Sequence, residues 1–371
     1  MNPPSAAEKR YSNKSRIARF ISRRGAASKP EIAAALKLSM PTVLQNVKCL
    51  AEAGIIRESG QYQSTGGRKA RILSLVPDYR FSVGIDITAN HVSFVLVNMA
   101  GTVIRWQQNR RIYTHSLSYC RAVREDMNLF LKNCQTDPAR ILGVGISLPG
   151  IIDKAGRTLI KSHVLDVDNV SLTMFSQFFD REPVYENDAT SAAMAELNHL
   201  TGNAVYLSLS NTVGGAVYID QQIYPGDHFR SAEFGHVVLV PGGEVCYCGK
   251  QGCVDAYCSA KVLSRHSHGS LDAFFIDLTD NDPEALALWD RYLDYLAVTV
   301  TNLRMSFDCD IILGGYVGGY LEPWLDDLRR RTHTYNRFDT DSSYIRLCRY
   351  RKEASATGIA LTFIDSFLDS L

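Results

Sequence analysis

The chain has 371 residues, 46% of them hydrophobic and 21% charged, with 40 Lys/Arg against 39 Asp/Glu for a formal net charge of +1. That composition excludes disordered and fibrous classes, and the length suits two or three domains with real cores. No apolar run approaches the ~18 residues of a membrane span, and the N-terminus lacks the apolar core of a signal peptide. A cytoplasmic location without membrane insertion is therefore expected.

The near-neutrality is an average. Residues 1–80 carry 15 Lys/Arg against five Asp/Glu, or +10, which leaves 25 against 34, or −9, for the remaining 291 residues. A basic module joined to an acidic body is the charge pattern of a nucleic-acid anchor attached to a sensor or enzyme, a solvated basic tail being the plainer alternative. Residues 9–24 read as a helix with Ile17, Phe20 and Ile21 on one side, stopped by Gly25. Ser28, with Glu31 three residues on and Pro30 between them, predicts a capping box. The helix it opens turns Ile32, Leu36 and Leu38 inward. Ser39 and Pro41 open a third helix, in which Val43, Val47 and Leu50 repeat at helical spacing. Its outward residues, Thr42, Gln45, Asn46 and Lys48, suit the edges of bases in a major groove. Ile55–Arg57 reads as a strand, and Tyr62–Leu75 as a β-hairpin with Gly66–Gly67 at its tip and Arg68, Lys69 and Arg71 beside it. Two short helices, a longer one and a basic hairpin form the winged helix-turn-helix pattern. Gly67, Arg68 and Lys69 are then placed for the minor groove or phosphates of a double-stranded DNA operator. A three-helix module used for protein contacts is the other reading.

From Phe81 the character changes. Two apolar strands cover 81–104, with turns between them and at Ala100–Gly101. A helix follows at about 117–133, then the strand ILGVGISLPG, then PVYEND before a small-residue helix. AVYLSLSN, GGAVYID and CDIILGGYVGG are again strands with glycine-rich ends. Strands alternating with helices predict an α/β body with sites at the carboxyl edges of its sheets.

Six of the nine cysteines (Cys49, Cys120, Cys134, Cys258, Cys309, Cys348) are scattered and read as packing, but Cys246, Cys248 and Cys253 crowd together. His236 precedes Cys246 by ten positions. One imidazole and three thiolates match a closed, tetrahedral structural Zn²⁺ site, and Gly249 and Gly252 supply the turns that bring the sulfurs round. Four free side chains are the alternative. Cys258, five beyond Cys253, is a spare candidate ligand.

Together these residues resemble the ROK family (repressors, open reading frames and sugar kinases), in its transcription-regulator branch, that of the N-acetylglucosamine and xylose repressors. The resemblance rests on the winged helix, the GGR wing tip, PGIID after a strand, the END-A segment Glu186–Ala189, Glu233–Phe234–Gly235–His236, and CYCGKQGC. It implies a two-lobed, actin-like sugar-kinase fold behind the winged helix, with a sugar cleft between lobes. It implies sugar contacts at Asn187, Asp188, Glu233 and His236, Asp188 matching the base of the kinases. Asp255 stands where sugar-binding members usually carry Glu, about one methylene shorter. An Asn-Asp pair before a helix is also an ordinary N-cap. The family pattern omits Cys258 from the metal set.

The phosphate side departs from the family. Asp86-Ile87-Thr88-Ala89-Asn90 stands in place of Asp-x-Gly-Gly-Thr, and Ser210 to Gly215 in place of Gly-Thr-Gly-x-Gly-Gly, so side chains stand where a phosphate needs bare backbone. Asp86 and the Gly314–Gly315 turn remain. The reading is a DNA-binding regulator, a repressor of carbohydrate uptake or catabolism genes, controlled by a sugar or sugar phosphate and lacking kinase activity. A bifunctional sugar kinase that also binds DNA is the alternative, and some relatives report sugar status by docking a transporter component. A homodimer or tetramer is the family expectation. The expected division is a DNA-binding domain at 1–78, a first lobe at 79–190 to which 354–371 returns, and a second lobe at 191–353 carrying the zinc loop.

Overall fold

The computed structural model describes residues 11–61, 71–197, 200 and 202–371. The hairpin tip, with Gly67, Arg68 and Lys69, lies outside the described residues. The N-terminal module contains α1 (Asn13–Arg24), β1 (Ala27–Ser28), α2 (Lys29–Leu36), α3 (Met40–Glu52), β2 (Ile56–Gln61) and β3 (Arg71–Leu75). Its strands form an antiparallel sheet in the order β1-β3-β2. The first helix begins at Asn13 instead of residue 9, because the Ser12 side chain accepts the Ser15 N–H and caps it. At α2 the Ser28/Glu31 capping box is complete, and Lys37 leaves the helix in the left-handed conformation. Ser39 caps α3, which buries Val43, Val47 and Leu50 as its periodicity predicts. The first strand of the hairpin starts at Ile56, merging with the Ile55–Arg57 strand.

Two five-stranded sheets form the body. The first contains β4 (Phe81–Ile87), β5 (His91–Asn98), β6 (Val103–Arg110), β7 (Ile141–Leu148) and β11 (Val184–Asn187), in the order β11-β7-β4-β5-β6. A small antiparallel sheet of β8 (Ile151–Asp153), β9 (Thr158–Ser162) and β10 (Val167–Ser171) projects between β7 and β11. The second large sheet contains β12 (Ala204–Leu209), β13 (Val213–Ile219), β14 (Gln222–Ile223), β15 (Asp310–Gly314) and β16 (Ile345–Leu347), in the order β14-β13-β12-β15-β16. Both sheets follow one plan, an antiparallel three-strand meander extended by two parallel strands.

The helices explain why the central strands are apolar on both faces. α4 (Leu117–Asn133) covers one face of the first sheet, packing Val123, Met127 and Phe130 on Val83, Ile85 and Phe94. After the short α5 (Thr173–Ser176) comes α6 (Asp188–Leu197), whose Ala192, Ala193 and Leu197 pack under Tyr206 and Ala216 of the second sheet. Then follow α7 (Asp255–Cys258), α8 (Ala260–Ser264), α9 (Leu271–Thr279), the long α10 (Pro283–Phe307), α11 (Gly315–Gly318) and α12 (Leu325–Tyr335). α10 covers the outer face of the second sheet with Leu293, Leu296 and Val300. The C-terminal α13 (Ala354–Asp369) returns to the inner face of the first sheet, against β4, β5 and β7, and also lies along α6.

That return is close enough to require glycine. A Cβ on Gly84 of β4 would lie 1.7 Å from the Ala356 carbonyl oxygen, and one on Gly358 of α13 would lie 1.6 Å from that of Ser191 on α6. The far end of α13 completes the core of the N-terminal module: Ile364 and Leu368 join Ile17, Ile21, Val47 and Leu50 in one buried cluster. Arg19 Nε pairs with Asp369 Oδ1 at 2.7 Å, and the Ser12 hydroxyl donates to the Leu371 carbonyl at 2.6 Å. α1 also reaches the second sheet, where Arg23 donates to Gln221 Oε1 at 3.4 Å in the β13–β14 turn. No helix among the described residues is long and apolar enough to cross a membrane.

Candidate functional site

Between the two large sheets lies a cavity of about 360 Å³. Its walls come from the turn after β7 (Pro149–Ile152), the β9–β10 turn (161–164), the β11–α6 junction (186–190), β13 and the loop 223–233, with His236 and Tyr247 at one side. Asn187, Asp188, Glu233 and His236 therefore face one space, as the resemblance implies. Their roles differ. Asn187 Oδ1 accepts the Thr190 N–H at 2.9 Å and caps α6, while its Nδ2 donates to Gly150 O at 3.0 Å and to Asp188 Oδ1 at 3.2 Å. The amide is thus a helix cap that also orients its neighbour's carboxylate. Burial raises the Asp188 carboxyl above the usual range, against backbone hydrogen bonds that lower it. Glu233 is raised as well, by burial first and then by Asp188, while Arg230 opposes the shift.

Asp255 departs from its assigned place. It is buried, it does not line the cavity, and its Oδ2 accepts the Val213 N–H at 2.6 Å. The short side chain is satisfied by backbone, so it braces the start of β13, which forms a cavity wall. Several lining groups carried no signal in the sequence: Lys154, Lys161, His163, Arg230 and Tyr247 come from loops that only the tertiary fold brings together. Lys154 pairs with the buried Glu186, and Lys161 with Asp168.

On the phosphate side, Asp86 is 6% exposed and accepts the Ser147 hydroxyl at 2.5 Å. Burial lifts its carboxyl to about 7, with the charge of Asp188 adding to the rise. Thr88 closes the β4–β5 turn on itself: its hydroxyl donates to His91 O at 3.2 Å and accepts His91 N–H at 3.1 Å. Tyr316 of α11 lies near both Asp86 and Asp188, and burial with these two carboxylates pushes its hydroxyl upward.

His236, Cys246, Cys248 and Cys253 each bring one ligand atom within 4.8 Å of all the others. Cys246 Sγ lies 3.8 Å from His236 Nδ1, and Cys248 Sγ lies 3.9 Å from Cys253 Sγ. A tetrahedral ion with bonds of about 2.3 Å to sulfur and 2.0 Å to nitrogen holds such atoms ~3.6–3.8 Å apart, so the set fits a metal ion. Gly249 and Gly252 have φ of +88° and +80°, and a Cβ on Gly252 would lie 1.7 Å from Val240 O. Lys250 Nζ donates to His236 O at 2.8 Å, tying the loop back on itself. Cys258 is excluded from the set: it is buried against Thr299, 4.0 Å from its hydroxyl.

On α3, Gln45 and Lys48 are exposed, whereas Asn46 Nδ2 donates to Thr42 O at 2.7 Å and the Thr42 hydroxyl lies 2.8 Å from that of Ser39. Leu44, 46% exposed beside Gln45, is an outward apolar residue that periodicity alone did not single out.

An N-terminal module of three helices and a small antiparallel sheet, on a duplicated α/β body with an inter-sheet cavity, defines the class of sugar-kinase-like folds that carry an added module. The ROK family pattern matches residues 82–366, and the chain belongs to the ROK family. It is 29% identical over 349 residues to the xylose repressor of Bacillus spizizenii, covering 90% of this chain and 89% of that one. Its fold is similar to that of a ROK family transcriptional regulator described as a homolog of the E. coli MLC protein, with a TM-score of 0.70, 20% identity and 96% of both chains covered. A ROK family glucokinase from Streptomyces griseus, solved with glucose and AMPPNP, shares the fold at a TM-score of 0.62 and 21% identity over 76% of this chain and 98% of that one.

Proposed function

We propose that this protein is a sugar-responsive transcriptional repressor: the N-terminal module binds double-stranded DNA and the inter-sheet cavity binds a sugar or sugar phosphate. The observation that carries the reading is the joint between the two parts. One helix, α13, shares a core with the winged helix at one end and packs at its other end on α6, the helix that opens at Asp188. Ligand closure around Asp188 and Glu233 would shift the two sheets and, through α13, the winged helix. Half-sites a helical turn apart must be met together by a dimer, so a small rotation costs affinity. Gln45 and Lys48, with Leu44 placed for a thymine methyl, are exposed α3 residues able to meet a major groove, where Lys48 would exchange its 3.7 Å ion pair with Glu52 for a phosphate. Zn²⁺ is the ion that suits three thiolates and an imidazole; with no open position it orders the loop and leaves reaction chemistry aside.

The test is fluorescence anisotropy with a duplex selected by the protein from a random library, in the presence and absence of D-xylose, D-glucose and their phosphates. Sequence-specific binding that one of these sugars changes at least fivefold supports the reading. Indifference to all of them refutes the effector role, and absence of specific binding refutes the DNA role. Retention of Asp86 and Asp188 favours one second reading, a sugar kinase, which requires ATP consumption that Asp188→Asn abolishes.

A further inference from the structure

Tyr247 stands between two of the metal-site residues, Cys246 and Cys248, yet it lines the cavity. Its hydroxyl lies 3.2 Å from His236 Nε2, on the opposite side of the imidazole from the nitrogen that faces Cys246. Its ring stands edge-on to His163 with centroids 5.8 Å apart, and His163 belongs to the β9–β10 turn of the small sheet attached to the other half of the body. Tyr247 is therefore held from behind by the metal loop and touches the opposite lip of the cleft in front. It remains 46% exposed, an aromatic ring left at the mouth of the cavity.

We propose that Tyr247 is a specificity-determining residue: its ring packs against the C–H face of the sugar whose hydroxyls meet Asp188 and Glu233, and the metal loop exists to hold that ring in place. This rests on the sugar reading of the cavity. The electron-rich face of a phenol ring attracts the weakly positive C–H bonds on one side of a pyranose, while carboxylates take the hydroxyls at its edge. A charged side chain could not serve both surfaces. Because the residues on both sides of Tyr247 are metal-site residues, a sugar that rests on the ring also holds the loop closed. Sugar and metal then stabilise one another by the same factor, as linkage demands.

The test uses the full-length, zinc-loaded protein with D-xylose and D-glucose as probes. Affinity is measured by titration calorimetry, zinc content by elemental analysis, and zinc loss by its rate of transfer to a coloured chelator. Tyr247→Phe keeps the ring and is expected to bind within about twofold of wild type. Tyr247→Leu keeps apolar bulk without the ring and is expected to bind about tenfold more weakly, or ~1.4 kcal/mol, while retaining one zinc per chain. Sugar should slow zinc loss in wild type and Tyr247→Phe but not in Tyr247→Leu. The proposal is overturned if Tyr247→Leu binds as wild type does, if Tyr247→Phe falls as far as Tyr247→Leu, or if the loss of affinity accompanies loss of zinc. Wild type that binds neither sugar overturns the sugar reading and this proposal with it. Binding by wild type with Tyr247→Leu unaffected overturns the proposal alone.

Discussion

Replacing Asp86 by Asn tests by a stability measurement whether this carboxyl is buried in its protonated form. Asp86 has Ser147 as its hydrogen-bond donor, and burial lifts its pKa from 3.8 to about 7. Such a group binds its proton more tightly folded than unfolded, so its contribution to stability falls as pH rises from about 4 to 7 and then levels off. A rise of that size corresponds to ~4 kcal/mol held against the ionised form at pH 8. Asn removes that penalty but brings a buried amide N–H₂ whose lost hydrogen bonds cost ~1–3 kcal/mol. Asp86→Asn is therefore expected to be more stable than wild type by ~1–3 kcal/mol at pH 8 and equal to it or weaker at pH 5. Urea denaturation followed by circular dichroism at the two pH values measures this. A variant destabilised equally at both would mean that Asp86 is an ionised, partnered carboxylate, and would refute the reasoning.

Removing the metal with a strong chelator, or breaking its site with Cys253→Ser, should lower the melting temperature and abolish sugar-induced stabilisation; added Zn²⁺ should restore both in the wild type. Differential scanning fluorimetry on metal-stripped protein reads this directly. Gly358→Val should destabilise the protein by more than ~2 kcal/mol, because its Cβ would lie 1.6 Å from the Ser191 carbonyl and the two helices must separate. Sugar affinity should fall with it, since α6 opens at Asp188. Lys48→Ala should reduce the slope of log affinity for DNA against log salt by about 1, and Gln45→Ala should relax preference at one base pair by ~1–3 kcal/mol, both by anisotropy. Equal loss on every sequence from Gln45→Ala would place that residue on phosphate.

Where local chemistry sets local structure, the sequence was legible. Ser28 with Glu31, Ser39 with Pro41, and the spacing of Val43, Val47 and Leu50 act within one or two helical turns, and those helices start as expected, the third burying all three residues and the second burying Ile32 with Leu36 only half-buried. The His236–Cys253 set was legible for the same reason: its spacing is closed by turns within one loop. The order of the strands was not, because pairing β4 with β7 and β12 with β15 joins segments about 60 and 100 residues apart, which no local pattern encodes. Asp255 shows the limit of carrying a residue over by position alone: a carboxylate one methylene shorter reaches a backbone N–H instead of the cavity. His163, Arg230 and Tyr247 gain meaning only where three distant loops meet.

The joint between cavity and N-terminal module gains stiffness from the glycines that the strands and helices carry. At Gly84 and Gly358, α13 meets β4 and α6 with backbone against backbone, so there is no side chain at either contact that could rotate to absorb a displacement. A shift of α6 at its Asp188 end must therefore move α13 as a body. α13 ends inside the core of the N-terminal module, with Arg19 and Ser12 pinned to its last turn and to the terminal residue. The Arg23–Gln221 contact ties the same α1 to the opposite sheet, beside the β14 and loop residues that wall the cavity. A helix anchored to both halves of a cleft has to respond when the cleft closes. A coupling of only 1–3 kcal/mol between the cavity and the N-terminal module is enough to change an affinity 5- to 150-fold.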